Sequence, residues 1–546
     1  MRHLRRLGHC LAAGAIVGAA VAALQLLLWP EIHLSAAKSM LAMLAWASWG
    51  GLWVGLVFFG VVELIGVATP YLGAARGLSL GLWRWLMSAT GIVVTALALW
   101  NRFLTRELLP PESWHNLGVA ASVAALFAIV MTVLAARRSR RRRPWLATLL
   151  APAILVGVLW GIWIVTPAPS AASPTGELAH VQVARRLLFV SWEGTDLPWL
   201  LPAIERGDMP FLRMCRDGGA WGQVRTVHPY SRHAALATLV TGCAPSVHAV
   251  LGRRAYRVPW LTDETLSLVL DGPWREGQQL PWKAWERTAG PAPKRAALWS
   301  ILELAGDRVG VAGWPRYASA TWVVPPSLAS DLKAAGTLDA DLAAALRPAL
   351  AQAPARADET RIAFARAALL FSASLAHQKQ QPVEALLLNT RLAAEIRPLW
   401  TSDTPGDAGE DVLRQAAHML DEQLRSLWLE LGAEETLLVV ASPFGMAPAA
   451  AWRRLLPFGP AEERAAVSPA DATDGFVLLY GPGVNHGTRL RGGRLADVAA
   501  SVLYLLGLPV ARDMAGRVLL DAVTEERAAA TPLRLVPSYP ATASRH

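Results

Sequence analysis

Arg185-Arg-Leu-Leu-Phe-Val-Ser-Trp192 runs straight into Glu193-Gly194-Thr195-Asp196. The chain then passes through Met209-Pro210 and Gly218-Gly219 to Thr226-Val-His-Pro229-Tyr-Ser-Arg-His233, and closes on Thr241-Gly242-Cys-Ala-Pro245-Ser-Val-His248. A short apolar run that stops at an acid followed by glycine reads as a buried parallel strand ending in a loop. In open α/β sheets, ligands sit beyond the carboxyl ends of such strands. Ser231-Arg232-His233 opens a small-residue helical run, whose free backbone N–H groups favour an anion. Asp196 has two readings: a carboxylate pair with Glu193, or the simpler one, an N-cap for a helix starting at Leu197.

The formal charge of +10 is not spread evenly along the 546 residues. Residues 1–166 hold 14 of the 52 Lys/Arg but 4 of the 42 Asp/Glu, so the remainder carries 38 of each and is neutral. The basic excess is therefore a matter of membrane topology, and nucleic-acid binding is excluded as its cause. Three cysteines, Cys10, Cys215 and Cys243, give neither a disulfide framework nor metal-ligand spacing. Cys215 and Cys243 read either as a pair in an exported domain or as two small buried thiols.

Five apolar segments have the length to cross a bilayer: Leu11–Trp29, Met40–Val62, Trp85–Trp100, Leu117–Ala136 and Trp145–Val165. Arg2, Arg5 and Arg6 place the amino terminus inside, and the run from Arg137 to Arg143 must also stay inside; five crossings satisfy both. Residues 1–166 are thus expected to form a multi-pass inner-membrane domain with a cytoplasmic amino terminus, leaving the soluble part outside (periplasmic in a Gram-negative cell). Glu63 falls near the end of the second segment, an interfacial place. Residues 167–184 are rich in Pro, Ala, Ser and Thr and read as a flexible linker.

From Arg185 onward, short apolar runs alternate with helical patterns, which predicts an α/β domain with a mainly parallel sheet covered by helices on both faces. Strands are expected at Arg308–Pro315 (entering a turn), Ala385–Asn389, Glu435–Ser442 and Asp474–Gly483 (with a turn), and helices at Leu197–Gly207, Met209–Gly219, Ala297–Gly306 and Val412–Leu431. The domain is expected over 185–525, with cap insertions over the sheet's carboxyl edge near 253–290 and 327–380. The Ala/Pro/Ser-rich stretch 526–546 reads as a disordered tail.

This order of motifs resembles the type I phosphodiesterase / nucleotide pyrophosphatase branch of the alkaline phosphatase superfamily. The resemblance covers about Arg185–Ala522 and rests on five segments in order. They are the Glu193-Gly194 strand end, Thr241-Gly242 to His248, Leu298-Trp299 to Trp314-Pro315, Leu420-Asp421, and Asp497 through Leu506-Gly-Leu-Pro509 to Asp513-Met-Ala-Gly516. It implies an alkaline-phosphatase-like fold and two metal ions held by Asp and His, with a Thr or Ser nucleophile. The framework is present, but the chemistry-bearing positions are not. The first metal-ligand Asp is Glu193, the nucleophile position falls on Arg232 with Ser231 before it, and the next Asp and His fall on Ala393 and Arg397. The Asp-His pair after the core strand is Pro443-Phe444, and the last His falls near Asp471. Only Glu193 and Asp471 keep a donor, and a divalent ion needs more oxygen and nitrogen ligands than that.

The expectation is therefore a pseudoenzyme with no bound metal, Glu193, Asp196, Arg232 and His233 remaining as binding-site candidates. Its surroundings are the lipid bilayer, other envelope proteins, or a phosphate-bearing or glycan ligand. The alternative is an active phosphodiesterase, nucleotide pyrophosphatase or phospho-group transferase with a rearranged site. Glu193, Asp196, Ser231 and His233 would then supply donors and nucleophile around Zn2+ or another divalent metal. His248 matches a framework position and reads as packing or a loop hydrogen bond; His228 and His486 have no supporting constellation.

Overall fold

The computed structural model describes residues 2–28, 36–68, 79–104, 106–136, 144–165, 186–228, 230–251, 254–258, 262–266, 286–289, 293–314, 320–325, 340–352, 354–400, 408–446 and 472–540. The chain divides into two compact units, Met1–Ala171 with Arg254–Ala289, and Ala172–Arg253 with Gly290–His546.

The first unit contains five apolar helices: α1 (Arg2–Leu28), α2 (Ala36–Ala68), α3 (Ser79–Leu104), α4 (Pro111–Ala136) and α5 (Pro144–Val165). Four stretches are long and apolar enough to cross a membrane, namely Arg6–Leu24, Ala37–Leu64, Trp83–Phe103 and Pro111–Ala136. The apolar part of α5 found by the same criteria is the shorter Ala151–Ile164. α1 and α2 run antiparallel and approach closely through glycines. A Cβ on Gly14 would lie 2.4 Å from the Gly55 nitrogen, and one on Gly18 would lie 2.0 Å from the Trp46 oxygen. Small residues are what let apolar helices associate where no hydrophobic drive separates protein from lipid. Glu63 is tied to the start of α1 by His3 at 3.2 Å and Arg6 at 3.3 Å. A three-stranded antiparallel sheet of β3 (Arg254–Val258), β4 (Thr262–Leu266) and β5 (Glu286–Ala289) belongs to this unit.

In the second unit, eight strands form one sheet: β1 (Arg186–Trp192), β2 (Ala220–Arg225), β6 (Val309–Ala312), β7 (Trp322–Val324), β8 (Ala385–Thr390), β9 (Thr436–Ser442), β12 (Gly475–Tyr480) and β13 (Thr488–Arg494). Their order is β13-β2-β12-β9-β1-β8-β6-β7, and β12 alone runs against the rest. β1, β8 and β9 are apolar along nearly their whole length because both faces are covered. Two small pairs complete the strands, β10 (Gly445–Met446) with β11 (Ala472–Thr473), and β14 (Val510–Ala511) with β15 (Leu535–Val536). The helices are α6 (Leu197–Arg206), α7 (Pro210–Asp217), α8 (Arg232–Thr241), α9 (Pro245–His248), α10 (Leu298–Leu304), α11 (Ala340–Gln352), α12 (Pro354–Gln380), α13 (Leu392–Trp400), α14 (Ala408–Leu431), α15 (Leu495–Leu505) and α16 (Glu525–Ala530).

Two expectations change. Residues 340–380 do not stand over the sheet edge: α11 and α12 put Leu346, Leu350, Phe364 and Ala367 into the same buried cluster as Leu188 and Val190 of β1. The stretch 526–540 is not a disordered tail. It forms α16 and β15, and Tyr539 is buried with its hydroxyl donating to the Pro509 carbonyl at 2.5 Å. The buried Tyr539 and the pairing of β15 with β14 outweigh the Ala/Pro/Ser composition around them. The linker 167–184, the arginine run 137–143 and most of 253–290 and 327–339 lie outside the described residues.

Candidate functional site

Glu193 follows β1, the strand hydrogen-bonded to β8 on one side and β9 on the other, so its side chain emerges at the middle of the carboxyl edge. The chain must turn there. Gly194 has φ +79°, and a Cβ on it would sit 2.6 Å from the Ala394 Cα, so glycine is required for both conformation and space.

The Glu193 carboxylate has no exposed surface. Arg232, the first residue of α8, grips it with two parallel bonds, Nε to Oε2 at 2.5 Å and Nη2 to Oε1 at 2.6 Å. Asn389, near the end of β8, donates from Nδ2 to Oε1 at 2.7 Å and to the Gly313 carbonyl at 3.2 Å. Burial alone would raise the Glu193 carboxyl, but the charge and bonds of Arg232, with Arg391 and Asn389 behind them, hold it below the usual carboxylate range. Burial works against the Arg232 charge too, and Glu193 reverses that, so the guanidinium stays protonated.

Asp196 is the centre of a second cluster. One carboxylate oxygen caps α6, accepting from the Trp199 N–H at 3.1 Å, and the other accepts from the Met446 N–H at 2.9 Å and the Thr473 hydroxyl at 3.0 Å. Arg397 closes it. Its Nη2 lies 3.2 Å from Asp196 Oδ1 and donates to the Met446 carbonyl at 3.2 Å, while Nη1 donates to the Gly194 carbonyl at 2.5 Å. The N-cap reading of Asp196 therefore describes one part of its role. The buried guanidinium beside it is the part that reading lacked.

Between and beside these pairs lies an apolar wall. Phe444 is fully buried and meets the Tyr230 ring edge-on at 4.7 Å. The Pro443 carbonyl accepts from the Thr226 hydroxyl and the Phe444 carbonyl from the Ser442 hydroxyl, both at 2.7 Å. Burial, with Glu193 nearby, pushes the Tyr230 phenol well above its ordinary value.

The other candidates fall as follows. Ser231 caps α8, and its hydroxyl donates to the Leu251 carbonyl at 2.7 Å, so its proton is committed to a structural bond. His233 sits on the first turn of α8 with Nε2 3.5 Å from Arg232 Nη1. Ala393 is buried in α13 and offers no donor. Asp471 lies outside the described residues. His248 is buried: its Nδ1 accepts from the Val250 N–H at 3.1 Å and its Nε2 faces the Thr238 hydroxyl at 3.0 Å. Burial keeps it neutral, with a pKa lowered to about 3. Cys215 and Cys243 are separate buried thiols, which settles that choice.

A divalent metal does not fit this arrangement. Both Glu193 oxygens are occupied by Arg232 and Asn389, and both Asp196 oxygens by backbone, hydroxyl and guanidinium donors. Among the described residues no three His, Cys, Asp or Glu side chains gather closely enough to hold an ion. Two guanidiniums supply the positive charge that the carboxylates require.

Sequence comparison bears on what scaffold this is. The profile of the type I phosphodiesterase / nucleotide pyrophosphatase family matches residues 198–506, more than half of the chain. The chain belongs to that family. Similar solved structures include murine ectonucleotide pyrophosphatase / phosphodiesterase 5 as an inactive variant in complex with AMP (14% identity, 62% of this chain and 100% of that chain, TM-score 0.37). They also include the human form of the same enzyme (14%, 61% and 97%, TM-score 0.34) and a phosphonate monoester hydrolase from Silicibacter pomeroyi (13%, 61% and 75%, TM-score 0.36). No curated protein matches the sequence. Within the family frame, Arg232 and Arg397 are the departures that sequence reading undervalued. Both were legible as non-ligands, but not as counter-ions, because their partners Glu193 and Asp196 lie 39 and 201 residues away.

Proposed function

We propose that this chain is a membrane-anchored member of the phosphodiesterase family whose extracytoplasmic domain is catalytically inactive and acts as a binding or scaffold module in the cell envelope. The observation that carries the proposal is the two-pronged Arg232–Glu193 bond, in which the residue at the nucleophile position neutralises the residue at the first metal-ligand position. Arginine stays protonated and cannot attack phosphorus. The rearranged active site is disfavoured by the same geometry, since the Ser231 hydroxyl donates to the Leu251 carbonyl in a structural bond. The arginines near Met1 and at 137–143 support a cytoplasmic amino terminus with the domain on the far side of the inner membrane. Ligands consistent with the carboxyl edge are phosphate-bearing or glycan groups held without chemistry.

The test is elemental analysis of the purified full chain together with hydrolysis of bis(p-nitrophenyl) phosphate in the presence of added zinc, manganese or magnesium. Inactivity predicts substoichiometric metal and hydrolysis no faster than for a Glu193→Gln variant. Stoichiometric metal, or turnover lost on that substitution, would overturn it.

A further inference from the structure

The corner where α3 ends and α4 begins has a chemistry the rest of the helical unit lacks. The membrane-crossing stretches end and restart here, at Phe103 and Pro111, so this corner lies at headgroup depth. Arg102 lies flat on the indole of Trp114, Cζ 3.9 Å from the ring centroid, and Arg106 approaches the same ring at 5.6 Å. Gly118, one turn beyond Trp114, makes the room: a Cβ there would fall 2.2 Å from Arg102 Nη1. Two like charges are thus drawn to one aromatic face, where each opposes the other.

Three donors at this corner have no hydrogen-bond partner among the described residues: Arg102 Nε, the Trp114 indole N–H and the Ser113 hydroxyl, all buried. Ser113 itself has no exposed surface. Unanswered buried donors are costly and call for an acceptor. Two carboxylates are near in sequence: Glu107 has partners of its own, and Glu112 is exposed on the first turn of α4.

We propose that this corner binds the phosphate of a membrane lipid headgroup, with Arg102 and Arg106 clamping the anion and Ser113 and Trp114 donating to it. The site is independent of the reading given to the phosphodiesterase domain. A lipid is the occupant that places a phosphate at this depth with its acyl chains alongside the exposed Phe103 and Leu126.

The test uses the full chain purified in a maltoside detergent and washed of endogenous lipid. It is incubated with short-chain phosphatidate, with diacylglycerol of the same chain length, or with inorganic phosphate, and retained lipid is read by native mass spectrometry. Phosphatidate is expected to be retained at stoichiometric level and diacylglycerol not. Arg106→Gln should weaken retention about five-fold and Arg102→Gln/Arg106→Gln by about 25-fold, from the worth of a basic side chain at an anionic surface. The Arg102→Lys/Arg106→Lys variant should fall between, since lysine keeps the charge but not the stacked fork. Equal retention of diacylglycerol by the wild-type chain would overturn the proposal without recourse to any variant. So would unchanged phosphatidate retention in a double glutamine variant that melts like the wild type. Displacement of phosphatidate by equimolar inorganic phosphate would reassign the site to the free anion and defeat the lipid assignment.

Discussion

Replacing Arg232 with methionine removes the charge while keeping most of the side-chain volume, and it isolates the interaction that organises the carboxyl edge. Glu193 would keep Asn389 but lose both charge-assisted bonds, leaving a carboxylate with no exposed surface and no counter-ion. Removing one partner of a buried ion pair costs about 3–5 kcal/mol. The Arg232 side chain keeps 24% of its surface exposed, so the lower end applies, about 3 kcal/mol at neutral pH. At about 2 °C per kcal/mol for a domain of this size, the melting temperature should fall by about 6 °C. Glu193→Gln should cost less, because the arginine it strands reaches water. The double variant should recover most of the loss, with a coupling of about 2 kcal/mol between the sites. The pH dependence carries the sign. In the wild type the Glu193 carboxyl is held below its ordinary value, so its contribution is present above about pH 4.3 and is lost as pH falls through the lower folded value. In Arg232→Met burial dominates and raises that carboxyl, so the gap between the two proteins is widest at neutral pH and closes toward pH 4. Thermal unfolding of the full chain in detergent, followed by near-ultraviolet circular dichroism at several pH values, reads both quantities. A variant as stable as wild type at pH 7, or a gap that does not change with pH, would refute the reasoning.

Arg397→Leu should be milder, about 1–2 kcal/mol by urea unfolding, because Asp196 retains the Trp199, Met446 and Thr473 donors. Phe444→Ala should lose about 3–5 kcal/mol by the same measurement, since it empties a fully buried ring site against Tyr230. His248 has a folded pKa of about 3 against about 6.5 when unfolded, so protonation favours the unfolded chain and stability is lost as pH falls below 6.5. Acidification from pH 7 to pH 5 should cost about 2 kcal/mol through this residue, and His248→Gln should flatten that slope in a pH series of melting curves.

The sheet was readable in the sequence because its central strands are buried on both faces, so Leu187–Trp192, Ala385–Asn389 and Thr436–Ala441 appear as unbroken apolar runs with glycine or polar stops. The failure at the carboxyl terminus has the opposite cause. Tyr539 is a single buried anchor, and the backbone pairing of β15 with β14 holds the rest, in a stretch otherwise made of turn-forming and small residues, and composition averages both away. Which residues stand at the family's ligand positions could be read one by one. Their pairing could not, since a salt bridge between Glu193 and Arg232, or Asp196 and Arg397, leaves no local periodicity. The role of Asp421 was hidden for the same reason. It accepts the Phe211 and Leu212 N–H groups at 2.9 and 2.7 Å, capping α7 from another helix entirely.

The two buried ion pairs also make single substitutions at this site costly. Restoring a hydroxyl at position 232 while Glu193 remains would strand a buried carboxylate, and shortening Glu193 first would strand Arg232 and loosen Asn389. Arg397 is held in the same way by Asp196 and by the Gly194 and Met446 carbonyls, so exchanging it for histidine breaks three contacts before any ligand is gained. Pro443-Phe444 adds a steric condition, because an Asp-His pair there would place polar groups in the closed pocket Phe444 shares with Tyr230. Removing one partner of either buried pair is expected to destabilise the chain, so changes at the paired positions are coupled and not additive. A scaffold that carries its cations as side chains is thereby locked into that arrangement. At the carboxyl edge the two guanidiniums balance the charges of Glu193 and Asp196, which is the basis of the inactivity proposed above.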